Sequence, residues 1–200
     1  MNNRVFTPAR AHKLEDPERL KWLPPAEVLA QLNVTSGITV ADIGAGTGYF
    51  SLPLARAVAP AGKVYAVDFQ PEMLALLARK LEAADHGNIT LVAGSASETH
   101  LSDSSCDLVL LANVWHELDN APAVLKETQR IIKPNGRLAL LDWRADVTRP
   151  PGPPVEHRIP AEQVVKFVAA HGWALGTSSN IGAYSYLLTF DSPLRNPRAS

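Results

Sequence analysis

Val40-Ala41-Asp42-Ile43-Gly44-Ala45-Gly46-Thr47-Gly48-Tyr49-Phe50 carries a short β-branched run into three alternating glycines and then into an apolar segment of helical length. Such a stretch reads as strand, tight turn and helix. Glycines at 44, 46 and 48 permit the turn and let a ligand approach the backbone with no Cβ in the way. The helix that follows directs its unpaired N–H groups at that ligand. The spacing G-x-G-x-G, with Asp42 two positions ahead, differs from the G-x-G-x-x-G of dinucleotide sites and suits a ligand without a pyrophosphate.

The alternation continues outward from this stretch. Strands are predicted over 38–43, 63–68, 88–93, 106–112 and 137–142, and helices over 25–32, 49–58, 71–84 and 119–133. Pro134-Asn135-Gly136 reads as a turn before the fifth strand. Strands and helices of these lengths predict parallel βαβ units with right-handed crossovers. A proline-rich loop over 145–160 precedes a helix over 161–171. Two last strands, 173–177 and 184–190, are separated by too few residues for a crossover helix, so they are expected to be antiparallel. The expected fold is a Rossmann-like, doubly wound α/β sheet of seven strands, mostly parallel with an antiparallel last strand and helices on both faces. Residues 1–23 read as an arm or a short capping helix, and 24–200 as one domain.

Composition fits that reading. The chain has 200 residues, 46% hydrophobic and 20% charged, enough to bury a core without disulfides or metals. A formal net charge of −1 gives no basic footprint for nucleic acid or membrane surfaces. The single cysteine, Cys106, has no partner in the chain, and no Cys/His spacing suggests zinc. Met1-Asn2-Asn3-Arg4 leads into polar sequence with no signal-peptide core. The chain is therefore expected to be cytoplasmic, with no membrane insertion and no nucleic-acid partner.

Asp68 ends the second strand, where a carboxylate can accept both hydroxyls of a ribose, or else cap the helix opening at Pro71. Phe69 and Met73 suit the two faces of an adenine, or plain core packing. Ligands of open α/β sheets bind beyond the carboxyl ends of the strands. That places Asn113-Val114-Trp115-His116-Glu117 and Asp142-Trp143-Arg144 around the reacting centre, with Trp115 and Arg144 toward a substrate. His116 reads equally as a base or as the start of the next helix.

The glycine loop resembles motif I of the class I S-adenosylmethionine-dependent methyltransferases. The whole chain resembles their small bacterial type 11, UbiE-like group, including Gly152-Pro153-Pro154-Val155-Glu156-His157-Arg158-Ile159. The resemblance implies S-adenosylmethionine as cofactor, with S-adenosylhomocysteine as product. Gly44, Ala45, Gly46 and Gly48 would line its methionine and ribose portion, and Asp42 would lie beneath the amino group. Ser95, where the family often carries an acid, and Ala96 would meet the adenine, and Asn113 the methionine end. His157 and Arg158 would lie on the substrate side, under a loop able to fold over the site. Methyl transfer from a sulfonium is an in-line displacement, for which positioning alone supplies about 7–11 kcal/mol. A base is needed only if the acceptor loses a proton, and His116 is the candidate. The expected partner is a small-molecule methyl acceptor whose identity, like the oligomeric state, the sequence does not give. Two other readings stay open: an NAD(P)-dependent oxidoreductase, and a non-catalytic cofactor-binding module. An arsenite-type enzyme would need more cysteines, and a DNA amino-methyltransferase a different segment after strand four.

Overall fold

Among the described residues, seven strands form one sheet in the order β3-β2-β1-β4-β5-β7-β6. They are β1 Thr39–Ile43, β2 Lys63–Asp68, β3 Ile89–Ala93, β4 Cys106–Ala112, β5 Ile132–Trp143, β6 Ala174–Ile181 and β7 Ser185–Asp191. The first five pair in parallel. β7 runs antiparallel to both β5 and β6, and the short link between β6 and β7 requires the second of these pairings. The helices are α1 Arg19–Trp22, α2 Pro25–Gln31, α3 Ser51–Val58, α4 Pro71–Glu82, α5 Ala121–Ile131 and α6 Ala161–Ala170. The computed structural model describes residues 6–83, 87–147 and 151–193. Residue 84 of the helix expected over 71–84 and residues 148–150 of the proline-rich loop lie outside them.

Side chains alternate across the sheet, so the central strands serve two cores. Ala41, Ile43, Val109, Leu111, Leu138, Leu140, Tyr186 and Leu188 point to the face covered by α5 and α6. Val40, Leu108, Leu110, Ala139, Leu141 and Leu187 point to the face covered by α2 and α3. Alternation also separates two buried aspartates. Asp42 shares the parity of Val40, and Asp142 that of Leu140, so they face opposite sides of the sheet. Strand order reverses between β1 and β4, which makes their carboxyl ends the switch point where such sheets bind ligands.

Several boundaries differ from expectation. α3 begins at Ser51, because the third glycine extends the turn through Tyr49. α5 is shorter at both ends: Asn120 caps it, its side chain accepting from Ala123 N–H at 3.2 Å. At the other end Ile132 already pairs with Cys106. Pro134-Asn135-Gly136 therefore lies within β5, bulged between the Cys106–Ile132 and Leu108–Arg137 pairs. β6 reaches Ile181, because pairing with β7 overrides the turn preference of Ser178 to Asn180. Within the N-terminal arm a 3-10 helix, Pro8–Glu15, leads into α1.

Candidate active site

The glycine loop turns through three left-handed positions, Gly44 (φ +74°), Gly46 (φ +54°) and Gly48 (φ +88°). Its start is pinned to β2, since Gly44 and Ala45 N–H donate to Val67 O at 2.8 and 3.0 Å. A Cβ at Gly44 would lie 2.4 Å from Val114 Cγ2, and one at Gly48 2.4 Å from Leu77 Cδ1. These two glycines are therefore demanded by packing against the segment after β4 and against α4. At Gly46 a Cβ would meet only Leu14 Cδ1, at 3.3 Å.

Four carboxyl groups gather at the carboxyl ends of β1, β2, β4 and β5. Asp42 accepts from Ser51 Oγ at 2.5 Å. Burial, with Asp68 nearby, raises its pKa to about 6 despite that bond and the charge of Arg19. Asp68 accepts from Gly46 N–H at 2.8 Å and Gln70 N–H at 2.9 Å. It thus clamps the glycine loop to the start of α4, and burial raises its pKa too. Glu117, displaced mainly by burial, titrates at about 7. Asp142 is 2% exposed.

Asp142 fixes His116. The His116 backbone N–H donates to Oδ2 at 3.0 Å, and imidazole Nδ1 lies 2.8 Å from Oδ1. The other ring nitrogen, Nε2, lies 3.7 Å from Glu117 Oε1. Burial opposes the imidazolium, but the hydrogen bond and charge of Asp142, with Glu117, outweigh it and raise the pKa above the ordinary value. His116 belongs to a 3-10 turn, Trp115–Glu117, and does not cap α5.

The arm lies across this end of the sheet. Phe6 N–H donates to Glu117 Oε1 at 3.2 Å, and Gln70 Nε2 donates to Phe6 O at 2.8 Å. Thr47 Oγ1 donates to Glu15, which also pairs with Lys80 Nζ at 2.6 Å. Arg19, buried, stacks 3.9 Å from the Tyr49 ring centroid. No spacing in the sequence marks Glu15, Arg19 or Gln70 as belonging here. Asp142 carried one signal, an acid at the end of an otherwise apolar strand.

The other expected site residues are scattered in environment. Asn113 (φ +59°) is held by its N–H to Leu141 O at 2.7 Å, and its side-chain Oδ1 is buried with no partner. Gln70 Oε1 is likewise buried and unpartnered. Phe69 is 56% exposed and Met73 is buried. Ser95 pairs with Ser97 Oγ at 3.2 Å, and Ala96 packs on the core. Trp115 is buried against Phe167, so its ring serves the core. Arg144 pairs with Asp146 at 2.7 Å. His157 is half-buried in a 3-10 turn. Arg158 is committed to carbonyls, donating to Pro151, Pro153 and Arg144 O at 2.7 to 3.3 Å, so it fastens the proline-rich loop.

The acceptor groups here suit a cationic, polar ligand. Carboxyl groups outnumber Arg19 and His116, three of them have raised pKa values, and two buried amide oxygens face the same end of the sheet unsatisfied. A sulfonium bearing an amino group and a ribose matches that chemistry. Among the described residues no group of three His, Cys, Asp or Glu could hold a metal ion, and no helix is long and apolar enough to cross a membrane.

Glycine loop, acidic strand ends and a 3-2-1-4-5-7-6 sheet define an S-adenosylmethionine-dependent methyltransferase of class I. A methyltransferase-domain family profile matches residues 41–140, and the chain belongs to that family, in its type 11 group. It is 32% identical over 146 residues to a demethylmenaquinone methyltransferase of Geobacillus kaustophilus (strain HTA426), covering 70% of this chain and 62% of that relative. It is 34% identical over 123 residues to the one from Geobacillus stearothermophilus, covering 62% and 52%. The chain thus spans less than two thirds of either relative's length. A solved SAM-dependent methyltransferase from Aquifex aeolicus superposes with a TM-score of 0.89 at 30% identity, covering 94% of this chain and 99% of that one.

Proposed function

We propose that this protein transfers a methyl group from S-adenosylmethionine to a small-molecule acceptor, with His116 as the base and Asp142 positioning it. The observation that carries the reading is a buried His116–Asp142 pair beside an acid-lined glycine loop, at the switch point of the sheet. The cofactor, when bound, supplies a methyl on a sulfonium whose loss leaves a neutral thioether. Asp68 would hold the ribose with the Gly46 N–H, and Asp42 and Asn113 the amino-acid end. Phe69, Met73, Ser95 and Ala96 would border the adenine, and Gly44, Ala45 and Gly48 shape the turn.

Asp142 keeps the proton of a neutral imidazole on Nδ1 and leaves Nε2 free to accept one. Glu117, titrating at about 7, stands 3.7 Å from Nε2 and can pass that proton on. The buried setting excludes water, so the fixed dipoles there act at full strength. The acceptor would approach from the ends of β4 and β5, on the side of Arg144 and His157, in a soluble, cytoplasmic setting without nucleic acid.

Calorimetric titration with S-adenosylmethionine, S-adenosylhomocysteine and NADH tests the reading. Micromolar binding of either sulfur nucleotide, abolished in Asp68→Ala, is expected. Binding of NADH in their place would return the chain to the oxidoreductase reading.

A further inference from the structure

Arg19 is a buried cation that no carboxylate among the described residues pairs with. It is 6% exposed in α1. Its partners there are one carbonyl, Leu14 O at 3.3 Å, and the face of the Tyr49 ring. Glu15 and Asp42 act on it through space only, and burial dominates, holding its pKa down at about 10. The guanidinium therefore stays charged at neutral pH, with most of its N–H fork unused. A buried charge left unpaired is costly, and a native structure seldom keeps one without a use for it.

Its place is fixed from several sides. Thr47 Oγ1 donates to Glu15, a Cβ on Gly46 would meet Leu14, and Tyr49 carries Arg19 on its ring. Residues 14, 15 and 19 of the arm thus span the glycine loop. Tyr49 is itself pinned, its hydroxyl donating to Leu23 O at 2.6 Å. Lys80 Nζ donates to Glu15 at 2.6 Å and to Thr47 O at 2.7 Å, fastening arm and loop to α4. The guanidinium is held against the loop, within the field of Asp42.

The amino-acid end of the cofactor carries an ammonium and a carboxylate on the same carbon. Asp42, Asp68 and Glu117 offer acceptors to cationic groups and repel a carboxylate. Among the described residues at this end, Lys80 is committed to Glu15, and His116 to Asp142 on the face opposite Asp42. That leaves Arg19 with donors to spare, and its planar fork matches a carboxylate through two parallel hydrogen bonds. We infer that Arg19 binds the carboxylate of the cofactor's amino-acid end and so selects nucleotides that retain it. The inference rests on placing the cofactor at the glycine loop. Because Arg19 belongs to the arm, the same contact ties the arm to the bound nucleotide.

Calorimetric titration with S-adenosylhomocysteine and with its decarboxylated analogue, adenosyl thiopropylamine, tests it. The analogue keeps the amino group, the thioether and the nucleoside, and lacks only the carboxylate. The unmodified protein is expected to bind S-adenosylhomocysteine about 30-fold or more tightly than the analogue, as a charge-assisted pair would give. Arg19→Gln should bring the two to near-equal affinity by weakening S-adenosylhomocysteine alone. Arg19→Lys, the gentler change, keeps a point charge and should keep part of the preference. Hydrogen–deuterium exchange over residues 9–22 should be slowed more by S-adenosylhomocysteine than by the analogue, and equally by both in Arg19→Gln. Equal affinity for the two ligands in the unmodified protein overturns the inference whatever the variants do. So does an Arg19→Gln variant that weakens both ligands alike, which would make Arg19 a packing residue only. Failure of the unmodified protein to bind S-adenosylhomocysteine refutes instead the cofactor placement on which the inference rests.

Discussion

Asp142 holds His116 by two different atoms: Oδ2 takes the backbone N–H at 3.0 Å and Oδ1 meets ring Nδ1 at 2.8 Å. One carboxylate thereby sets both the position of the loop and the tautomer of its imidazole. Asp142→Asn keeps the shape and removes the charge, so the His116 pKa should fall in an NMR titration. Turnover should fall about 100-fold or more, with S-adenosylhomocysteine affinity little changed. A His116 pKa that does not move would show that Asp142 does not govern the ring.

Stability should decline from acid toward alkaline pH. Glu117 titrates at about 7 in the folded chain against an ordinary 4.5, and Asp42 at about 6 against 3.8. Folding makes both bind protons, so stability is lost as pH rises through these windows. His116, with a raised pKa, acts in the same direction: its contribution is present below 6.5 and lost as pH rises through its folded value. Melting temperature should therefore fall between about pH 5 and pH 8, and Glu117→Gln should flatten the slope. An unchanged slope in that variant would remove Glu117 from the account.

The two kinds of glycine should separate experimentally. Gly48→Ala combines a left-handed φ of +88° with a Cβ 2.4 Å from Leu77, so it should destabilise the fold by about 2 kcal/mol or more. Gly46→Ala keeps a φ of +54° but meets only Leu14 at 3.3 Å, so about 1 kcal/mol is expected. Its larger effect should be on cofactor affinity. Denaturant unfolding and calorimetry on both variants check the order, and a reversed order would refute the packing role of Gly48.

Glu127 joins the start of α5's last turn to the loop before β4. It accepts from Thr99 N–H at 2.8 Å, Thr99 Oγ1 at 2.5 Å and Arg130 Nε at 2.8 Å. Arg130 chiefly holds its carboxyl down to about 2. Its stabilisation is complete above the ordinary 4.5 and lost as pH falls through about 2. Glu127→Ala should cost about 2 kcal/mol near neutral pH, reduced from a fully buried network because Arg130 is partly exposed. The difference from the parent should vanish in acid-unfolding measurements toward the low end of that window.

Cofactor binding should release protons. A sulfonium near Asp42 and Glu117 favours their charged forms and lowers both pKa values. Between about pH 6 and 7, calorimetry in buffers of different ionisation enthalpy should show proton release with S-adenosylmethionine. S-adenosylhomocysteine, lacking the sulfonium charge, should release fewer. Equal release by both would mean that the amino group alone is felt.

The sequence by itself determined the sheet, the glycine turn and the family, because these rest on local patterns: β-branched runs, alternate glycines, prolines at helix starts. Gly44, Gly46 and Gly48 were legible as a turn, but their reasons were not. Two of them answer to Val114 and Leu77, residues remote in the chain that only folding brings near. His116 stood out as a residue type, yet its partner 26 residues away was not legible, because β4 and β5 must pair before Asp142 reaches it. Arg158, Trp115 and Arg19 show the same limit, since a side chain's duty depends on what surrounds it. Tertiary structure alone sent Arg158 to the loop carbonyls and Trp115 to the core. It also brought Glu15 and Arg19 to the glycine loop and set Tyr186 beside Asp142 with its hydroxyl unmet. Periodicity encodes which face a residue takes, whereas the neighbour it meets there is fixed by strand order and register, which no short window of sequence contains.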